Sequence, residues 1–190
     1  MNLQIYKPNS KNSGAAFNFS IDTRGEKPIF YVNAILQHSW NDSTKTGSFS
    51  GNKDNPDKKL AIKLNEFELG EMLSTFNTRI PWSGFHDFND NKTSISLTPW
   101  DKTKKLKDKT GNFHEFVLPA FGFSVTRNGS QNFRISLEPG EAEVLKRFIG
   151  NYLDLFLKST SKMQKNNSSN SPNRDNSVNQ YDDDPSGSAF

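Results

Sequence analysis

Cysteine is absent from the 190 residues, and that absence removes disulfide cross-links, thiolate nucleophiles and every zinc site built on thiolates. Histidine is almost as scarce. His38, His86 and His114 are scattered without the spacing of metal ligands, so no metal is expected. No apolar run approaches the roughly 18–20 residues that a membrane-crossing helix needs, and the opening MNLQIYKPNSKNSG lacks the apolar centre of a secretory leader; the expected location is intracellular. Catalytic patterns are missing as well: there is no nucleophile–histidine–carboxylate motif, no phosphate-cradling glycine loop and no pair of carboxylates at acid–base spacing. His86–Asp87 and His114–Glu115 are sequence neighbours that alternation sends to opposite faces of a strand. The expectation is a protein that is not an enzyme and holds no cofactor.

What the chain has in quantity is phenylalanine, 16 against 3 methionines, and an uneven distribution of charge. Residues 1–162 carry 22 Lys and Arg against 17 Asp and Glu, whereas residues 163–190 carry 2 against 4. A basic body favours polyanions, because each neutralised phosphate releases counterions. The tail is almost purely Asn, Ser, Asp, Gly and Pro and has too little apolar area to offset the entropy of ordering it. Three stretches are therefore expected: a flexible N-terminal arm over 1–13, a folded domain over 14–162 and a disordered acidic tail over 163–190.

Period-two alternation marks strands in the folded stretch. AAFNFSIDT (15–23) sets Phe17, Phe19 and Ile21 against Asn18 and Ser20; IFYVNAILQHSW (29–40), TGSFSG (46–51) and LAIKLN (60–65) continue the series. Asn65 can cap a helix through EFELGEMLSTF, with Phe67, Met72, Leu73 and Phe76 on one face. GFHDF (84–88), KTSISLTPW (92–100), NFHEFVLPAFGFSVTR (112–127) and QNFRISLEP (131–139) then repeat the strand order, with Asn128–Gly129 as a tight hairpin turn. Pro139 opens a second helix, in which Val144, Leu145, Phe148, Ile149, Tyr152, Leu155 and Phe156 recur at helical spacing to residue 162. The predicted fold is α+β: two strand-strand-strand-strand-helix repeats forming two antiparallel sheets packed with two helices, followed by the disordered tail.

That duplicated order resembles the whirly family of single-stranded DNA-binding proteins, whose fold is shared with kinetoplastid mitochondrial RNA-binding proteins and related to positive-cofactor coactivators. KNSGAAF (11–17) resembles the family's KGKAAL segment at Lys11, Gly14, Ala15 and Ala16. LAIKLNEFELGEML (60–73) is similar to its strand-to-helix passage, and GFHDF to its phenylalanine–histidine–aspartate strand, with Phe88 where the family has proline. SISLTPW (94–100) and SLEPGEAEVLKRFIGNYLDLF (136–156) resemble the next strand and the last helix. The resemblance covers about 145 residues. It implies assembly as a tetramer, with single strands lying across the sheets and bases against apolar and aromatic surface.

Gripping unpaired strands with little sequence choice needs flat rings for the bases and cations along the backbone. Trp40, Phe49, Trp82 and Trp100 fall at strand ends or turns and are the stacking candidates; Phe121, Phe123, Phe133 and Phe148 follow core periodicity. On the faces away from the core, Tyr31 and Asn33, with Gln37, accompany Ala16, Asn18 and Ser20, and Arg134 accompanies Ser136. DKTKKLKDKT (101–110) is the densest basic stretch: it is either a solvated loop or an arm wrapping phosphate through Lys102, Lys104, Lys105 and Lys107. Lys11, Lys45, Lys59, Lys63, Arg127 and Arg134 can continue the cationic track.

The ending YDDDPSGSAF resembles the acidic tip of bacterial single-stranded DNA-binding proteins, without the proline that usually precedes the last phenylalanine. Phe190 would fill a partner's apolar pocket while Asp182, Asp183 and Asp184 meet its basic groups. The expected function is coating and protection of single-stranded DNA in replication, recombination or repair, with replication or repair proteins recruited by the tail, in a bacterial cell or one infected by a bacteriophage. An RNA-binding or annealing protein of the same fold, and a non-catalytic assembly protein, are the alternatives.

Overall fold

The computed structural model of the chain describes residues 1–168. Its first sheet joins four antiparallel strands in the order β1-β2-β3-β6: β1 (Asn2–Lys7), β2 (Ala15–Asp22), β3 (Ile29–Leu36) and β6 (Lys59–Leu64). The alternation of Phe17, Phe19 and Ile21, of Phe30, Val32 and Ala34, and of Leu60, Ile62 and Leu64 puts one apolar row after another on the inner face, all buried. Two expectations change here. The opening residues are a strand, not a loose arm: Ile5 is buried, six residues pair with β2, and Met1 O accepts from Ile21 N at 2.9 Å. The short strand expected over 46–51 instead pairs locally, β5 (Thr46–Ser48) with β4 (Ser39–Asn41), because its small polar residues offer no apolar row to the large sheet.

The turn between β1 and β2 explains the glycine in KNSGAAF. A Cβ at Gly14 would lie 2.4 Å from Lys7 O, so only glycine lets the two backbones approach. Gln37, itself buried, locks this turn by accepting from Asn9 N at 2.8 Å and donating to Asn9 O at 2.9 Å.

Helix α1 (Glu66–Thr78) starts on the predicted cap: Asn65 Oδ1 accepts from Phe67 N and Glu68 N, and Glu68 reaches back to Asn65 N. It buries Leu69, Met72 and Thr75, with Leu73 and Phe76 packed alongside; Phe67, assigned to that face by sequence, is exposed.

The second sheet has the order β10-β9-β8-β7, from β7 (Trp82–Phe88), β8 (Asn91–Lys107), β9 (Phe113–Arg127) and β10 (Gln131–Leu137). Asn128 and Gly129, both at positive φ (52° and 69°), form with Ser130 the tight turn expected between β9 and β10. The lysine-rich stretch is not a loop. Strands β8 and β9 pair without interruption from Thr93–Arg127 to Lys107–Phe113, so residues 101–107 form one leg of a hairpin.

Helix α2 (Pro139–Ser168) buries Ala142, Leu145, Ile149 and Tyr152, whereas Val144 turns to solvent. It extends beyond residue 162, where the tail was expected to begin, through Lys, Met and Gln, which are good helix formers. The tail residues Asp182, Asp183, Asp184 and Phe190 lie outside the described residues.

Both inner faces and both helices share one core. Phe123 of β9 meets Phe17 (5.4 Å between centroids) and Phe19 (5.7 Å) of β2, and so joins the two sheets. Phe30 meets Tyr152 of α2 at 5.4 Å, and Phe76 of α1 meets Phe121 at 4.9 Å. Burying one such phenylalanine contributes roughly 1.5–3 kcal/mol. With the core side of each sheet filled, the other sides are left open.

Candidate nucleic-acid interface

Strand register decides what the open side of the first sheet displays. Three rows cross it: Tyr6–Ala16–Ile35–Lys59, Gln4–Asn18–Asn33–Ala61 and Asn2–Ser20–Tyr31–Lys63. At their centre Ala16, Asn18, Ser20 and Asn33 are small or amide-bearing and lie beside Ile35 and Tyr31, the margins carry Tyr6, Lys59 and Lys63, and none of these positions holds a carboxylate. A groove of about 620 Å³ runs over the first two rows and is walled by Phe49, Lys53 and Pro56. Phe49 and Tyr6 meet edge to face, 5.8 Å between centroids, across one end.

Arg127, the last residue of β9, closes the other end. Its Nη2 donates to Ala61 O on the edge strand β6 at 3.4 Å, tying the second sheet to the first, while its Nε is buried without a partner. Asn18 Oδ1 is likewise unpartnered in the groove lining.

The open side of the second sheet is a field of hydroxyls. Ser83–Ser96–Ser124–Arg134 forms one row, Phe85–Ser94–Thr126–Asn132 the next and Thr98–Gly122–Ser136 a third. Ser96 and Ser124 share a hydrogen bond at 2.8 Å. A groove of about 780 Å³ over this field is lined by Trp100 and Arg134 and, from the β1–β2 turn, by Lys7, Asn9 and Ser13. Close packing of a sugar–phosphate chain needs small side chains, and this face supplies them.

Ion pairs separate the cations that are already engaged from those that are open. Lys102 is paired with Glu138, and the lysine holds that carboxyl below its usual range. Lys105 faces Glu115 at 3.5 Å and Lys107 lies over the Phe113 ring at 5.7 Å. Lys45 turns to Asp42 at 3.7 Å, and Trp40 Nε1 donates to the same carboxylate at 3.2 Å, so both belong to the small β4–β5 hairpin. Arg24 grips Asp22 through two nitrogens and draws its pKa down to about 2. Lys63, Lys104 and Arg134 appear in no ion pair among the described residues.

The structure thus brings Asn33, Phe49, Lys59 and Arg127 into one groove, with Tyr31 and Lys63 one row away on the same face, and Trp100 and Arg134 into the other. Lys11 is exposed on the β1–β2 turn beside the second groove. Trp82 takes an inward position on β7 and packs against the core, its parity matching Gly84 and His86. Sequence reasoning missed Gln4 and Tyr6, since β1 passed for a loose arm; the alternation of Leu3 and Ile5 was the available clue. It also missed Phe85, exposed at the margin of the hydroxyl field.

No protein-family model and no curated protein sequence matches the chain. Solved structures do. WHY3 from Arabidopsis thaliana superposes over 89% of this chain and 95% of its own with a TM-score of 0.53 at 13% identity. WHY1 from the same plant covers 89% and 92% with a TM-score of 0.52 at 14% identity. The plant transcriptional regulator PBF-2 covers 87% and 86% with a TM-score of 0.51 at 16% identity. The fold is that of these whirly proteins, across nearly their full length.

Proposed function

We propose that this chain binds single-stranded DNA across the open sides of its two sheets and coats it with little sequence specificity. The observation that carries this reading is the pair of broad faces whose central rows hold no carboxylate, with rings and unpaired cations at their margins. Duplex DNA hides its base faces in the stack, whereas an unpaired strand can lay them on Tyr6, Phe49 or Trp100, each stacked base contributing about 1–3 kcal/mol. The fold shared with the whirly proteins agrees with this use. Replication, recombination and repair are the processes that expose such strands, and a bacterial or phage-infected cell is the proposed setting.

Several copies are proposed to assemble, a tetramer being favoured, because both helices leave large apolar side chains in solvent: Phe67 (78% exposed), Val144 (51%) and Leu157 (61%). The acidic ending is proposed to recruit replication or repair proteins. Deleting residues 182–190 should then leave DNA affinity intact or raise it while abolishing partner capture.

Tryptophan fluorescence during titration tests the main reading, since Trp100 lines a groove and is 41% exposed. Oligothymidine should quench at low salt, with an effect that weakens steeply as salt rises, and duplex DNA should not. Equal response to both, or none to either, refutes the proposal. Equal-length RNA as competitor separates the RNA-binding alternative, which would use the 2′-hydroxyl.

A further inference from the structure

Strand β7 pairs β8 only as far as Leu97, and β10 pairs β9 only as far as Phe121. Beyond Trp100 and Ala120, the rungs from Asp101–Pro119 to Lys107–Phe113 form a two-stranded ribbon flanked by no other strand among the described residues. Its seven rungs span roughly 20 Å at the usual rise. Isolated ribbons are marginally stable, and this one leaves Leu106, Phe113, Phe116 and Val117 exposed.

Charge is sorted between its two faces. Alternation puts Trp100, Lys102, Lys104 and Phe116 on the side continuous with Ser96, Ser124 and Arg134. Both ribbon carboxylates, Asp101 and Glu115, fall on the opposite side, where they are taken by Arg79 (2.7 Å) and Lys105. The carboxylates of the reverse side are therefore matched within the protein, and its remaining cation, Lys107, lies over the Phe113 ring. Along its rungs the side continuous with the hydroxyl field has no carboxylate of its own; Glu138 from beyond β10 meets Lys102, Asp108 of the tip meets His114, and this side offers Lys104 directly opposite the half-exposed Phe116 ring.

We infer that the ribbon is a nucleic-acid arm with one working face. An unpaired strand leaving the hydroxyl field continues outward over Trp100 and Phe116, two ring platforms roughly 13 Å apart along the strand direction, with Lys104 on its phosphates. The reverse face, through Lys105–Glu115 and Lys107–Phe113, only stiffens the arm. This rests on the single-strand reading above, and it assigns to the protein a longer footprint than its two sheets provide.

The test uses the full chain, fluorescence anisotropy and oligothymidines of 8 and 30 nucleotides. Changing Lys104→Glu together with Phe116→Ala should weaken the 30-mer by about tenfold and lower the slope of log affinity against log salt by about 1–2, with the 8-mer within twofold of wild type. Lys104→Ala alone should move both in the same direction by less, and Lys105→Ala on the reverse face should leave both oligonucleotides within twofold. The arm is overturned if wild type binds the 30-mer and the Lys104/Phe116 variant binds it equally well. It is also overturned if Lys105→Ala weakens binding as much, or if the variant changes sedimentation instead of affinity, which would make the ribbon a contact between copies. Wild-type protein that ignores both oligonucleotides is a distinct result and removes the single-strand reading itself.

Discussion

Glu68 binds His86 with one carboxylate oxygen, at 2.6 Å, and caps its own helix with the other, accepting from Asn65 N at 2.9 Å. A single side chain thus fixes the start of α1 and fastens it to the first strand of the second sheet. The histidine of GFHDF is accounted for by this structural bond. Glu68→Ala should lose both attachments and lower unfolding free energy by about 1–2 kcal/mol. Urea denaturation measures it, and Glu68→Gln, which preserves shape and acceptor, should lose less.

Removing residues 1–7 distinguishes a strand from a loose arm. Leu3 and Ile5 pack inward and β1 covers the edge of β2, so the truncated chain should be less stable by about 3 kcal/mol or more and prone to edge-to-edge association. Thermal unfolding and light scattering read the two effects separately. An arm without structure would leave both unchanged.

At the mouth of the first groove, Tyr6 is 56% exposed and sits against Phe49. Tyr6→Ala should therefore hardly disturb folding, yet cost about 1–3 kcal/mol in oligothymidine affinity. Isothermal titration supplies the affinity and circular dichroism the control.

Arg134 stands alone at the end of a serine row, whereas Lys102 is already matched by Glu138. Arg134→Ala should reduce the salt slope of binding by about 1. Lys102→Ala should reduce it less, because its charge is already partly spent within the protein. Anisotropy between low and moderate salt compares the two slopes directly.

The hairpin tip is built around Asp108. Its carboxylate accepts from the Thr110 side chain and backbone, from Asn112 N and from His114 at 2.8 Å; Thr110 is the largest cause, and together these hold its pKa well below the usual carboxylate range. A carboxyl depressed by folding favours the ordered tip above its unfolded value, near pH 4, and that contribution is lost only as pH falls through the lower folded value. Amides of Thr110 and Asn112 should stay protected from exchange at pH 5 in the wild type and lose protection in Asp108→Ala. Hydrogen exchange read by NMR gives both.

Much of this architecture is legible in the residues. Phe17, Phe19, Ile21 and their counterparts in the other half announce strands because one face must be buried, and Asn65 announces a helix start through its cap. Sequence reading fails where an element depends on a distant partner. NLQIYK has only two inward apolar residues and becomes a strand by pairing with β2. TGSFSG has no apolar row and settles for its nearest neighbour, β4. The 101–110 lysines read as a loop because charge dominates their composition; their strand character comes from cross-strand mates such as Glu115 and Phe113. For the binding faces, parity identified Tyr31, Asn33 and Arg134, but which cations are free depends on acids elsewhere in the chain.

The serine and threonine hydroxyls of the second sheet can each rotate to donate or accept, so they impose no fixed spacing on what they touch. A polymer resting there loses little by shifting one unit along, whereas the amide-floored groove of the first sheet, closed by Arg127, resists such a shift. On the single-strand reading proposed above, one half of the molecule would act as a brake and the other as a bearing, so that coverage could be redistributed along a strand without release into solution.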